Sequence, residues 1–288
     1  FKGLFTQGMV CHETYKDNSN NWLSPDEVIS EDGKKFFNKK KPSEKIIVGP
    51  IESMSKSKKN TIDPEEIIKN YGADAVRLFI MSDSPPEKDI QWSDLGMGAS
   101  YKFIQKLWTL HKNIIHKIKL NQKLEGGEKN INQFTNVLID KVTKNIDKFR
   151  YNVIIASFYE AYNFLIKEIE KPINSKSLEK NYTQILKLFM PFIPHLATEC
   201  LTELPNFNEN DLKNWPTADP KQLKTEYISV VVQINGKKRE ILETKYDITQ
   251  KELLNKIKDN DKLKMYLNNK EIIKEIFVRN KLINLIVK

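Results

Sequence analysis

The spacing of apolar residues changes character once along this 288-residue chain, and that change limits what it can fold into. Between residues 93 and 205 they recur at helical intervals. Phe103, Ile104, Leu107, Trp108, His111, Ile114, Ile115 and Ile118 mark one face of a helix of about five turns. Phe134, Val137, Leu138 and Val142 mark a second, beyond a polar loop over 120–132 that contains Gly126-Gly127. Val153, Ile154, Phe158, Tyr162, Leu165, Ile166 and Ile169 mark a third, which stops before Pro172. Leu178, Tyr182, Ile185, Leu186 and Phe189 mark a fourth, broken by Pro191 and Pro194, and a short fifth starts at His195-Leu196-Ala197. Consecutive helices on short connections read as a bundle. From residue 228 the period becomes two: Ile228, Val230, Val232 and Ile234 share one side of a strand. Asn235-Gly236 follows as a hairpin signal, Thr249 and Glu252 as a capping box, and residues 272–278 and 282–287 as closing strands. The order β-β-α-α-β-β over about 65 residues describes a small α+β domain near the lower size limit for independent folding.

The first 92 residues carry shorter signals. Met9-Val10-Cys11 reads as the start of an ordered element, with a polar turn over 17–21. Asp32-Gly33 predicts a hairpin between Val28-Ile29 and Phe36-Phe37. Ile46-Ile47-Val48 reads as a buried strand that delivers the next loop at its end. That loop, Met54-Ser55-Lys56-Ser57-Lys58, is rich in hydroxyls and ammonium groups. It precedes a helix capped by Asp63, with Pro64 in the first helical position and Glu66 where a capping-box acid belongs. The helix runs to about Met81, with a break expected at Gly72 and Arg77 expected to pair with Asp74. The boundaries implied are 1–92, 93–220 and 221–288.

Lysines neutralise phosphate as point charges, hydroxyls supply adjustable donors, and exposed backbone N–H groups add more. The loop chemistry therefore suits a polyphosphate, although surface loops commonly share this composition. The order of its residues is more specific. Met54-Ser55-Lys56-Ser57-Lys58 resembles the KMSKS loop of class I aminoacyl-tRNA synthetases, and Tyr71-Gly72-Ala73-Asp74-Ala75-Val76-Arg77-Leu78-Phe79 resembles the segment that follows it there. Gln7-Gly8-Met9-Val10 and the tail Val231-Val232-Gln233-Ile234-Asn235-Gly236-Lys237 narrow the resemblance to leucyl-tRNA synthetases, along nearly the whole chain. One position departs from the pattern: the family's first lysine is Ser53 here.

The resemblance implies the end of a Rossmann-like catalytic domain, a helix bundle of the anticodon-binding type and a small C-terminal α+β domain. It implies ligation of leucine to tRNA(Leu) through leucyl-adenylate, with ATP as substrate and Mg2+ accompanying it. Lys56 is the expected catalytic phosphate ligand, with Met54, Ser55, Ser57 and Lys58 completing the ATP contact. Ser53 implies a weakened, not abolished, contact from its own position. The HIGH-type motif and the editing domain have no counterpart here. The chain thus reads as the C-terminal part of a larger enzyme, inactive alone, whose N-terminal half is a partner. Another class I synthetase, for isoleucine, valine or methionine, fits the loop and bundle too, and a non-catalytic tRNA-binding fragment fits the tail.

Charge supports an RNA partner. The net charge is +9, of which residues 221–288 contribute +7, residues 1–60 contribute +3 and residues 61–220 contribute −1. A localised basic excess is an electrostatic footprint for nucleic acid, although lysine is abundant throughout. Lys237, Lys238 and Arg239, clustered beside the hairpin, are the first candidates for tRNA phosphate contact. The two cysteines, Cys11 and Cys200, form no CxxC, Cys11-His12 is poor ligand spacing, and His111 and His116 do not share a helix face. No metal site is expected in this chain, nor a membrane span, and a cytoplasmic setting fits.

Overall fold

The computed structural model describes residues 3–30, 35–120, 128–223, 227–268 and 270–288. The chain divides into two compact units, residues 1–219 and 220–288. It is a mixed α/β protein with a helical bundle in the first unit. The Asp32-Gly33 and Gly126-Gly127 expectations lie outside the described residues.

In the first unit, β1 (Val10–Lys16) pairs antiparallel with β2 (Trp22–Leu23). A three-strand antiparallel sheet follows: β3 (Val28–Ser30), β4 (Phe36–Asn38) and β5 (Lys41–Lys45). Next, β6 (Ile47–Ser53) lies antiparallel against β1. Ile47, Val48 and Ile51 are 56%, 39% and 46% exposed, so the run expected to be a buried strand is a strand with open faces. Among the described residues none of the three joins a hydrophobic cluster, and β6 pairs only with β1.

The helix expected over 63–81 is two helices, α1 (Pro64–Tyr71) and α2 (Ala73–Ser82), parted at Gly72. Gly72 has φ 81° and ψ 152°, a region open essentially to glycine alone. Asp63 caps α1 by accepting from the Glu65 N–H at 2.9 Å, and Glu66 takes no part in that cap. After β7 (Ile90–Gln91), parallel to the start of β1, comes α3 (Asp94–Lys119). It starts nine residues before the first apolar marker, capped by Ser93, whose Oγ accepts from Gly96 N–H at 3.1 Å. Gly96 looks like a breaker in sequence, but a Cβ there would lie 2.8 Å from the Phe79 ring. Its absence lets α2 approach α3.

The bundle continues with α4 (Glu128–Ile146), α5 (Tyr151–Ile169), α6 (Ser175–Phe189) and α7 (Pro194–Thr202). Helix α4 starts earlier than expected, at Glu128, and its Ile131 already belongs to the core. Phe158 sits at the centre, in ring contact with Phe189 and Phe192. Each such buried side chain stabilises the fold by roughly 1.5–3 kcal/mol. Leu78 of α2 joins the same core, while Ala75 and Phe79 pack with Trp92 and Met97 in a second cluster.

Arg77 does not pair with Asp74. Its Nη2 donates to Pro191 O at 2.6 Å and its Nε to Phe192 O at 3.1 Å. Asp74 accepts instead from the N–H groups of His195 (3.3 Å) and Leu196 (2.7 Å) and from His195 Nδ1 (2.9 Å). The corner between α6 and α7 offers free carbonyls at one end and free amides at the other, and each charge takes the complementary end.

The second unit is a four-stranded sheet in the order β10-β11-β8-β9, made of β8 (Tyr227–Ile234), β9 (Lys237–Lys245), β10 (Ile272–Val278) and β11 (Leu282–Val287). Two helices, α8 (Gln250–Asp259) and α9 (Asp261–Leu267), supply Leu253, Ile257 and Leu263 to a core with Val230, Val232, Ile234, Ile283 and Leu285. The expected alternation, the hairpin and the Thr249–Glu252 capping box are all present.

Inside the bundle His111 is fully buried. Its Nδ1 lies 3.2 Å from Tyr182 Oη and its Nε2 2.9 Å from Glu203 Oε2, which Lys112 also holds at 2.7 Å. Burial holds the ring's pKa below the ordinary histidine range, against the opposing pull of Glu203. The unfolded chain protonates such a ring near pH 6.5, whereas the folded bundle resists until lower pH. The neutral ring's contribution is therefore full above about pH 6.5 and is lost as pH falls toward the folded value. His111→Gln is expected to lower stability by about 1–3 kcal/mol at pH 8 and to flatten the loss that sets in as pH falls below about 6.5. Denaturant titrations of both proteins across that range check this, and an unaltered acid slope would remove His111 from it.

Candidate functional site

The Lys/Ser loop begins where β6 ends. The N–H of Met54 donates to Val10 O at 3.2 Å, and its half-buried side chain packs on the cluster of Ala75, Phe79, Trp92 and Met97. Met54 therefore anchors the loop. Ser55 caps a single 3-10 turn, Lys56–Lys58, its Oγ accepting from the Lys58 N–H at 3.4 Å and lying 3.2 Å from Ser57 Oγ. Lys59 closes the turn in the left-handed region, at φ 54°.

Asn60 holds this turn to the sheet. Its side chain is fully buried and both ends of the amide are used. Oδ1 accepts from the Ser55 N–H at 2.8 Å; Nδ2 reaches His12 O at 3.3 Å, Glu52 O at 3.3 Å and Ser53 O at 3.4 Å. Only a carboxamide can accept from the loop and donate to two strands at once. The lysines stand outside this frame. The Lys58 ammonium pairs with the Glu52 carboxylate. Lys56 is exposed, and among the described residues its ammonium has no ion-pair partner. Ser53, where the resembled pattern has a lysine, is exposed opposite Cys11, with Oγ 4.0 Å from Cys11 Sγ.

The second cluster lies in the other unit. Asn235 and Gly236 take φ 51° and 76°, the left-handed pair a two-residue hairpin turn requires. Asn235 Oδ1 accepts from Val287 N–H at 2.9 Å and its Nδ2 donates to Val287 O at 3.1 Å, so the turn is bound to β11. Lys237 and Lys238 are exposed. The ladder steps from Val232–Glu240 to Gln233–Lys238, which leaves Arg239 as the extra residue of a bulge. Its guanidinium lies 4.2 Å from the Tyr266 ring centroid. The three are thus close together, with Arg239 already stacked.

Lys237, Lys238 and Arg239 thus form one group, and Met54, Ser55, Lys56, Ser57 and Lys58 another. Asn60, Glu52 and Tyr266 escaped the sequence reading. The hairpin bulge is readable only from the ladder, and nothing in apolar periodicity marks Asn60. Among the described residues no group of three His, Cys, Asp or Glu side chains could hold a metal ion, and no helix is long and apolar enough to cross a membrane.

Residues 37–93 match the family model for class I tRNA synthetases of the I, L, M and V group, and residues 128–255 match that for the anticodon-binding domain of tRNA ligases. The chain is 40% identical to the leucine--tRNA ligase of Rickettsia canadensis strain McKiel over 288 residues, covering all of this chain and 34% of that protein. It is 39% identical to that of Orientia tsutsugamushi strain Boryong over 291 residues, with the same coverage. The chain spans about a third of the length of these curated relatives. In fold it resembles a LeuRS of Agrobacterium radiobacter K84, solved as a ternary complex with tRNA and LeuAMS. That match has a TM-score of 0.61 at 24% identity, over 82% of this chain and 31% of that one.

Removing the Asn60 carboxamide strands buried donors and acceptors at a cost of about 1–3 kcal/mol. Asn60→Ala is expected to speed hydrogen exchange of the amides at 55–59 roughly five- to hundredfold, leaving α4 and α5 unchanged. Loop exchange at the parent rate would mean that other contacts hold the turn.

Proposed function

The chain is homologous over its whole length to the leucine--tRNA ligases, and on that basis we propose that it is the part of such an enzyme that holds the ATP phosphates and grips tRNA(Leu). The observation that carries this reading is Lys56, an exposed ammonium with no ion-pair partner among the described residues, on a turn whose backbone is fixed by Asn60. In the ligase reaction leucine and ATP give leucyl-adenylate and pyrophosphate, and the leucyl group then passes to the 3′ end of the tRNA. Charge builds on the α-phosphate and the departing pyrophosphate, so the protein's part is positioning and electrostatic stabilisation. Lys56 meets the pyrophosphate, Ser55 and Ser57 donate from the turn, Met54 anchors it, and Lys58 joins once it leaves Glu52. Mg2+ arrives with the nucleotide.

Residues 1–92 are read as the end of a Rossmann-like catalytic domain. The open faces of β6, with Ile47, Val48 and Ile51 exposed, suit coverage by the rest of a catalytic domain, as expected for a third of a longer ligase. The bundle is read as the anticodon-binding-type domain and residues 221–288 as a second tRNA contact, in a cytoplasmic enzyme. Lys237, Lys238 and Arg239 supply phosphate contacts there, which position RNA without reading its sequence.

Leucine-dependent ATP–pyrophosphate exchange tests the catalytic part. We expect none from this chain alone and activity when it is mixed with the N-terminal portion of a leucine--tRNA ligase. In a complete enzyme, Lys56→Ala should slow adenylate formation about 10²–10⁴-fold. A normal rate would take Lys56 out of that role. For the RNA contact, replacing Lys237, Lys238 and Arg239 together by Ala should weaken tRNA binding and make the log affinity against log salt shallower by about two. An unchanged slope would place the phosphate contacts elsewhere.

A further inference from the structure

We propose that Asp74 and Arg77 are positioning residues for the phosphate loop, fixing the frame from which α1 carries Lys56; this rests on the reading that the loop meets ATP. Lys56 is joined to the rest of the first unit in two directions. Toward the sheet it is held by Asn60. Toward the bundle the chain runs through α1 and Gly72 into α2. Alpha-helix α1 has no buried residue, whereas α2 buries Asp74, Ala75, Leu78 and Phe79. The half-buried Ile67 and Tyr71 of α1 lean on the cluster to which α2 gives Ala75 and Phe79, so the place of α1 follows that of α2.

The α2 end is set by a two-sided clamp. Asp74, itself buried, takes the amide end of the α6–α7 corner, with Oδ2 2.7 Å from Leu196 N and Oδ1 2.9 Å from His195 Nδ1. Arg77, one turn on, takes the carbonyl end at Pro191 and Phe192. The two charges oppose each other across one corner, so α2 can neither slide along it nor rotate without breaking one set of bonds. Gly72 is the joint between this fixed helix and α1. A Cβ there would meet nothing within 4 Å, so its backbone angles alone demand glycine. The clamp thus defines where the joint stands, and the joint defines how α1 approaches the loop. Neither Asp74 nor Arg77 is a catalytic residue; both act through α1.

Misplacing a catalytic group by about 1 Å costs on the order of a hundredfold in rate. In a complete leucine--tRNA ligase carrying these residues, Arg77→Met should lower kcat for leucine-dependent ATP–pyrophosphate exchange about ten- to hundredfold with KM for leucine unchanged. Arg77→Lys, which keeps one charged donor, should recover part of it. On this chain alone, hydrogen exchange of residues 61–72 should quicken in Arg77→Met and Asp74→Asn while α4 and α5 keep the parent rates. Uniformly faster exchange would mean a merely structural role and overturn the proposal. Lys56→Ala in the same assay separates the two readings. If it slows the reaction and Arg77→Met does not, the clamp does not position the loop; if Lys56→Ala has no effect, the phosphate reading itself fails.

Discussion

A buried carboxylate costs several kcal/mol unless hydrogen bonds replace its water, and the placement of Asp74 follows from that constraint. The protein meets it with three donors from the start of α7: two backbone amides and the His195 ring. A helix N-terminus offers its free N–H groups and a partial positive charge, so the acid and the helix satisfy each other. Arg77 does the same for the carbonyls that precede the corner. The consequence reaches beyond the pair. One turn of α2 contributes Leu78 to the bundle core and Ala75 and Phe79 to the cluster beneath the Lys/Ser loop. Loop and bundle are parts of one packed body because this short helix belongs to both.

Much of this was legible because local chemistry and fold agree. The Gly72 break, the left-handed Asn235-Gly236 pair and the Thr249–Glu252 box are each required by backbone geometry that residue type reveals. The bundle helices showed in their apolar spacing. Arg77 misled because sequence displays only neighbours. Asp74 is three residues away, whereas the carbonyls that win lie 114 and 115 residues further on, exposed by a corner that Pro191 and Pro194 create. The early start of α3 was hidden by Gly96, a helix breaker by propensity that is required here by the Phe79 ring. Ile47 and Val48 misled in the other direction: an apolar run signals burial, and the described residues leave that face open. The loop motif itself was plain. Its support, Asn60, was not, since a buried carboxamide carries no periodic signal.

The C-terminal unit gathers three cations beside one hairpin turn. Its core is small, ten buried hydrophobic residues among those described, so the sheet depends on register as well as on burial. The asparagine in the turn ties β9 to β11 through Val287, and the bulge gives Arg239 its separate direction. A guanidinium laid on an aromatic ring has lost much of its rotational freedom before any ligand arrives, and it keeps its N–H edge for phosphate. Lys237 and Lys238, without such a shelf, remain flexible point charges. The hairpin therefore combines one oriented cation with two exposed ones.

The contrast between Lys58 and Asn60 shows how the loop is loose at its tip and ordered at its base. Its ammonium is held by Glu52, yet both side chains are more than a third exposed, so water screens the pair. Exposed pairs of this kind contribute about 0–1 kcal/mol. Such a pair opens at little cost. Glu52 thus orients Lys58 without locking it. The backbone beneath behaves oppositely: Asn60 is buried, its Oδ1 accepting from the Ser55 N–H and its two N–H groups shared among three carbonyls, and loss of the amide would leave buried groups unsatisfied. A screened bond at the charged tip and buried ones at the base let Lys58 move while the turn that carries it stays in place.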